Sequence, residues 1–160
     1  MSEYAARTIV SVEKSRAEIE GILRRYGASG FLSGWDEHQA FIAFKMQDRQ
    51  VKFVLPIPNP ADEAYTLAKT RYGLQQRSAE AAHKIWEQDC RQRWRALALV
   101  IKAKLEAISA GISVFENEFL AHIVLPDGRT VAEHVLPAIA IAYDQNKIPP
   151  LLPYHGESIN

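Results

Sequence analysis

The stretch from Ser78 to Ile112, SAEAAHKIWEQDCRQRWRALALVIKAKLEAISAGI, carries a helical apolar period from end to end. Ser78 is placed to cap it, Ala79, Glu80 and Ala81 make a favourable first turn, and Gly111 marks its end. At about 100° per residue, Trp86, Cys90, Trp94, Leu97, Ile101, Leu105, Ile108 and Ile112 fall on one stripe. Its width and period are those of a surface that faces a core. Lys84, Arg91, Arg95 and Lys102 form a second stripe about a third of a turn away, and Arg93 and Lys104 lie on the opposite flank. A helix of this length divides the chain into a β-rich front and an α-rich back.

The front half begins with Arg7-Thr-Ile-Val10, a β-branched run that predicts a first strand. Ser11 then caps a predicted helix to Tyr26, stopped by Gly27, with Ser15, Ile19, Ile22 and Tyr26 on its inner face. Three strands follow, Gly30 to Trp35, Ala40 to Met46 and Gln50 to Ile57, separated by polar turns short enough to require antiparallel neighbours. Alternation is clearest in the third, where Val51, Phe53, Leu55 and Ile57 face one way. Pro56 and Pro58 end the sheet, because proline cannot donate to a ladder. Residues 59–77 are polar and show no sustained period, which predicts a long surface loop.

Behind the long helix, Ser113 with Glu116 and Thr130 with Glu133 each match the S/T-x-x-E capping box. Leu125-Pro-Asp-Gly128 is a turn between them. Pro137 predicts a kink or restart before Ala138 to Asn146. The proline-rich tail is expected to pack back as an extended strap through Leu151, Leu152 and Tyr154. The fold class is therefore α+β: a small antiparallel sheet of three or four strands with an N-terminal helix (β-α-β-β-β), a long amphipathic helix and shorter C-terminal helices. The reading is a single domain over 1–160, with the sheet unit at 1–58, the loop at 59–77, the helical part at 78–147 and the tail at 148–160.

Composition narrows the function classes. At 160 residues with 48% hydrophobic and 24% charged content, the chain is suited to one folded domain. Lys plus Arg and Asp plus Glu are 19 each, and this neutrality argues against a dedicated duplex binder, which carries a basic excess. With Cys90 alone no internal disulfide can form. A secretory leader and a membrane-spanning helix are not expected, since no apolar run is long enough.

Signals of catalysis are missing. His38, His83, His122, His134 and His155 are scattered without metal-ligand spacing, and no phosphate-binding or nucleophile motif occurs. Cys90 sits between two tryptophans on the apolar stripe, where a thiol is inert. Glu116 and Glu118 do not share a helix face, and Asp36 and Glu37 are turn residues. The expectation is a non-enzyme without metal or cofactor.

Two binding readings remain. In the first, Lys84, Arg91, Arg95 and Lys102 track a phosphate backbone over about 27 Å of helix, while Phe41, Lys45 and Lys52 on the sheet offer a stacking platform for single-stranded nucleic acid. In the second, the apolar, proline-interrupted C-terminal third presents a patch to a protein partner or a second copy.

The segments SVEKSRAEIEGILRRYGASGF, RQVKFVLPIP, CRQRWRALALVIKAKLEAISAGI, FLAHIVLPDGRTVAEHVLP and PPLLP resemble a family of small bacteriophage- and prophage-encoded proteins, in the same order over nearly the whole chain. The resemblance implies a setting, the cytoplasm of an infected bacterium, and transfers no catalytic or binding residue. In that setting the partner is nucleic acid or a host complex, the latter as the target of an anti-defence inhibitor, with nucleic acid marginally ahead.

Overall fold

The computed structural model describes residues 3–152, with side chains from Val12 onward. In chain order the elements are helix α1 (Glu3–Arg25), strands β1 (Gly30–Trp35), β2 (Gln39–Met46) and β3 (Arg49–Pro56), and a short helix α2 (Glu63–Thr66). A hairpin of β4 (Leu67–Thr70) and β5 (Gly73–Gln76) comes next. Helix α3 (Ala79–Ser109), helix α4 (Phe115–Phe119), a 3-10 turn at Leu120–His122 and helix α5 (Val131–Gln145) complete it. The α+β class stands, with one exception at its start.

Arg7 to Val10 is not a strand but the second turn of α1. The β-branched run lies between helix-forming flanks, EYAA before and SVEKSRAEIE after, and four residues of opposite propensity do not interrupt a helix continuous on both sides. The sheet therefore has three strands in the order β1-β2-β3, all antiparallel. Its hairpins follow their turn chemistry. Asp36 accepts the backbone N–H groups of His38 and Gln39, both at 2.8 Å. Gln47 and Asp48 both take positive φ, 48° and 58°, as a two-residue hairpin of right-handed twist requires.

One face of the sheet carries Ala40, Ile42, Phe44 and Met46 from β2, with Val51 and Phe53 from β3. Onto it pack Ile19, Ile22 and Leu23 of α1, Trp94, Ala98, Ile101 and Leu105 of α3, and Phe115 and Phe119 of α4. Phe119 meets Phe44 and Phe53 edge-on, with ring centroids 5.6 and 6.2 Å away. The two long helices run in the same direction. Tyr26 near the end of α1 donates its hydroxyl to Glu106 near the end of α3, while Val12 and Arg16 flank the same cavity as Trp86 and Arg93. Ile123 bridges to Val51, and the Val124 N–H donates to Gln50 O at 2.8 Å, so the outer edge of β3 is partly covered.

Helix α3 starts where the sequence places it, with the Ser78 hydroxyl accepting the Ala81 N–H. It ends in a Schellman turn: Gly111, at φ 71°, donates to Ile108 O, and Ile112 donates to Ala107 O. That turn carries Ile112 off the apolar stripe, leaving it 81% exposed rather than in the core. Ser113 is drawn into the same turn, its N–H bonded to Ala107 O, so the expected Ser113–Glu116 capping box does not form and Val114 precedes α4 without a side-chain cap. The Thr130–Glu133 box is complete.

Residues 59–77 are more ordered than a plain loop. Tyr65 in α2 is buried and donates its hydroxyl to Asp89 of α3, and Thr70 and Gly73 close the β4–β5 hairpin. Beyond α5, Leu151 and Leu152 stay about half exposed and Ile148 is almost fully exposed, so the strap is not packed down over the described residues. Tyr154 lies outside them.

Candidate functional site

On the outer flank of α3, the four stripe residues divide by charge environment. Lys84 is paired with Glu80 and Arg91 with Glu87, each at 3.6 Å and one helical turn apart. Glu87 is itself buried, so the Arg91 pair is held against the body. Arg95 and Lys102 are exposed, with no carboxylate within 4 Å among the described residues. On the other flank Arg93 pairs with Asp89 and Lys104 with Glu118. Half of the expected cationic edge is thus internally neutralised.

The sheet platform forms as expected from register. Phe41, Lys45 and Lys52 all point away from the core, because they alternate with Ile42, Phe44, Val51 and Phe53. Phe41 lies across Gly34, whose missing side chain makes room for the ring: a Cβ there would come within 2.4 Å of it. Lys52 stands over the same ring, 5.6 Å from its centroid. Leu32 and Val54 on this face are exposed, so the face is open. The helix stripe, however, stands on the layer that covers the opposite face of the sheet. The two sets of residues share no surface, and no single strand contacts both without passing around the molecule.

Cys90 is buried, and burial, reinforced by the Asp89 charge, pushes its thiol up to about 11, so it stays protonated. No cluster of three metal-ligating side chains occurs among the described residues. His134 Nε2 lies 2.7 Å from Asp127 Oδ2 and links the Leu125–Gly128 turn to the first turns of α5. The backbone N–H of Arg129 and the adjacent His134 hold the Asp127 carboxyl below its ordinary value.

Two features carry more than the sequence signalled. Only Ala138 of the 15 residues of α5 is buried. Ala132, Leu136, Ile139 and Tyr143 recur at intervals of four, three and four residues along one outward stripe, and Leu136 and Tyr143 are 61% and 88% exposed. The spacing is visible in the sequence, but an apolar helix of this kind reads as core until its surroundings are known. The second feature is an apolar cavity between α1, α3 and one end of the sheet.

Pro137 does not break α5. The proline removes the N–H that would bond Glu133 O one turn earlier, and the Arg129 guanidinium takes that carbonyl instead, at 2.9 Å. The helix runs on through Pro137 to Gln145 rather than restarting after it.

No helix among the described residues is long and apolar enough to cross a membrane. Comparison with known proteins finds no matching family model, no matching curated protein and no matching solved structure.

Proposed function

We propose that the chain is a non-enzymatic protein-binding module that docks through α5, and that its partner is a second copy of the same chain. The observation that carries this reading is the exposed Leu136, Ile139 and Tyr143 stripe, whose three- and four-residue spacing is that of a helix seated against another helix or in a groove. The stripe bears no charged residue, and Glu133 beside it is committed to its cap. Apolar surfaces without charge belong to lasting rather than transient contacts. A stripe of this spacing is also self-complementary about a two-fold axis, the commonest symmetry of association. Leu120 below α5 and Ile148, Leu151 and Leu152 beyond it add exposed apolar area towards the roughly 800 Å² per partner of a stable interface.

Sedimentation equilibrium between micromolar and hundred-micromolar concentrations tests this. The wild-type chain is expected to be dimeric, and Leu136→Glu with Tyr143→Glu to be monomeric with an unchanged helical signal. A wild-type monomer across that range defeats the proposal.

A second reading, contact with single-stranded nucleic acid, is favoured by the open sheet face bearing Phe41, Lys45 and Lys52. It is expected to show salt-sensitive oligonucleotide binding that is lost in Phe41→Ala/Lys52→Glu. Charge reversal at Arg95 and Lys102, on the other side of the molecule, should leave it unchanged. Failure to bind at low salt removes it.

A further inference from the structure

The geometry points to a second site, unrelated to α5: a pocket for a small hydrophobic monocarboxylate between α1, α3 and the end of the sheet. The cavity measures about 340 Å³, within the range of small-molecule sites. All three tryptophans of the chain, Trp35, Trp86 and Trp94, line it. Trp94 is buried at its floor, and the Trp86 indole is fixed by its N–H donating to Pro58 O at 2.7 Å. Trp35 stands at the mouth, largely exposed, where an indole otherwise has nothing to cover.

Two guanidinium groups, those of Arg16 and Arg93, are among the charged groups of this mostly apolar wall. Arg16 donates from Nη1 to Ser33 Oγ at 3.3 Å, a neutral partner, and its Nε is buried with no hydrogen-bond partner among the described residues. Arg93 Nε is also buried and unpartnered; it lies 3.4 Å from Asp89 Oδ1 but out of line for a hydrogen bond. Asp89 is shared with the Tyr65 hydroxyl, so Arg93 is partly compensated, whereas Arg16 faces no carboxylate within 4 Å among the described residues. Arg16 lines the cavity, and a guanidinium with no carboxylate partner is the complement of a carboxylate oxygen.

The rest of the lining selects among anions. Asp36 is occupied by backbone amides, while Glu13 and Glu37 sit exposed at the rim, and their charge disfavours phosphates and other polyanions. A single carboxylate on an apolar body satisfies Arg16 and leaves its tail against the indoles. Cys90 lines the same cavity and is a neutral apolar surface there, so binding is non-covalent.

The three tryptophans make the full-length chain its own reporter. Titration with octanoate, read by tryptophan emission, is expected to give a saturable change. Octanol, of equal chain length but neutral, should bind roughly 10-fold or more weakly, the ratio expected of a charge-assisted hydrogen bond. Arg16→Gln should bring octanoate down to the level of octanol, and Trp35→Ala should weaken both alike. Equal affinity for acid and alcohol, retained selectivity in Arg16→Gln, or no emission change up to millimolar octanoate would overturn the proposal. None of these outcomes depends on α5, which contributes nothing to the lining.

Discussion

Gly34 and Phe41 show how one residue's absence of a side chain determines a neighbour's place. With the Phe41 ring filling the space over Gly34, an alanine there must displace the ring from its seat. Gly34→Ala is expected to cost about 1 kcal/mol, the lower end of overpacking effects, because the ring is on an open face and can swing aside. In a Phe41→Ala background the same substitution should cost nearly nothing, and chemical denaturation of the four chains measures the coupling. His122 carries a pH dependence. Its ring stacks on Phe53 at 3.9 Å, and burial, reinforced by Lys104, holds the imidazole below its ordinary value of 6.5. Between those two values the unfolded chain binds more protons than the folded one. The contribution to stability is therefore full above 6.5 and lost as pH falls through the window. Melting temperature should drop between pH 7 and 5 in the wild type and drop less in His122→Phe. The lowered carboxyls of Asp36, Asp127 and Glu133 lose their contribution only further down, below about 4.

Among the elements, those with two agreeing signals were legible and those with one were not. Helix α3 combined a cap, a period and a terminal glycine, and its core stripe held from Cys90 to Leu105, with Leu97 half-buried and Ala98 added; before it, Ala82 and Glu87 are buried as well. The three-stranded sheet combined alternation with short turns, and its strands fall within one residue of the expected bounds. Arg7 to Val10 offered composition alone, and the surrounding helix overrode it. The β4–β5 hairpin was invisible because β5 is exposed along its whole length, so no apolar alternation marks it. The restart expected at Pro137 does not occur, and the acceptor the proline frees is claimed by a side chain eight residues earlier, a detail no local rule contains. Arg129→Ala should destabilise the fold by about 1 kcal/mol, the net worth of one hydrogen bond. In Pro137→Ala, where the backbone N–H can return to Glu133 O, the same change should cost much less. Thermal unfolding of the single and double variants tests the account.

At the scale of the molecule, the arrangement of faces bears on the two binding readings that the residues left open. The sheet platform and the helical basic stripe were both correctly placed on surfaces, yet sequence spacing could not say that the core lies between them. What the three-dimensional arrangement adds instead is a helix with an uncharged, uncovered outward stripe and, at a separate location, a tryptophan-lined cavity with an arginine that has no carboxylate partner among the described residues. The claim that α5 is a docking element is tested most directly by amide hydrogen exchange at increasing protein concentration. Protection over Val131–Gln145 should rise with concentration while the already buried turns of α3 around Ile101 stay constant, and Tyr143→Glu should abolish the rise. Exchange from α5 that is the same at one and one hundred micromolar would contradict the account.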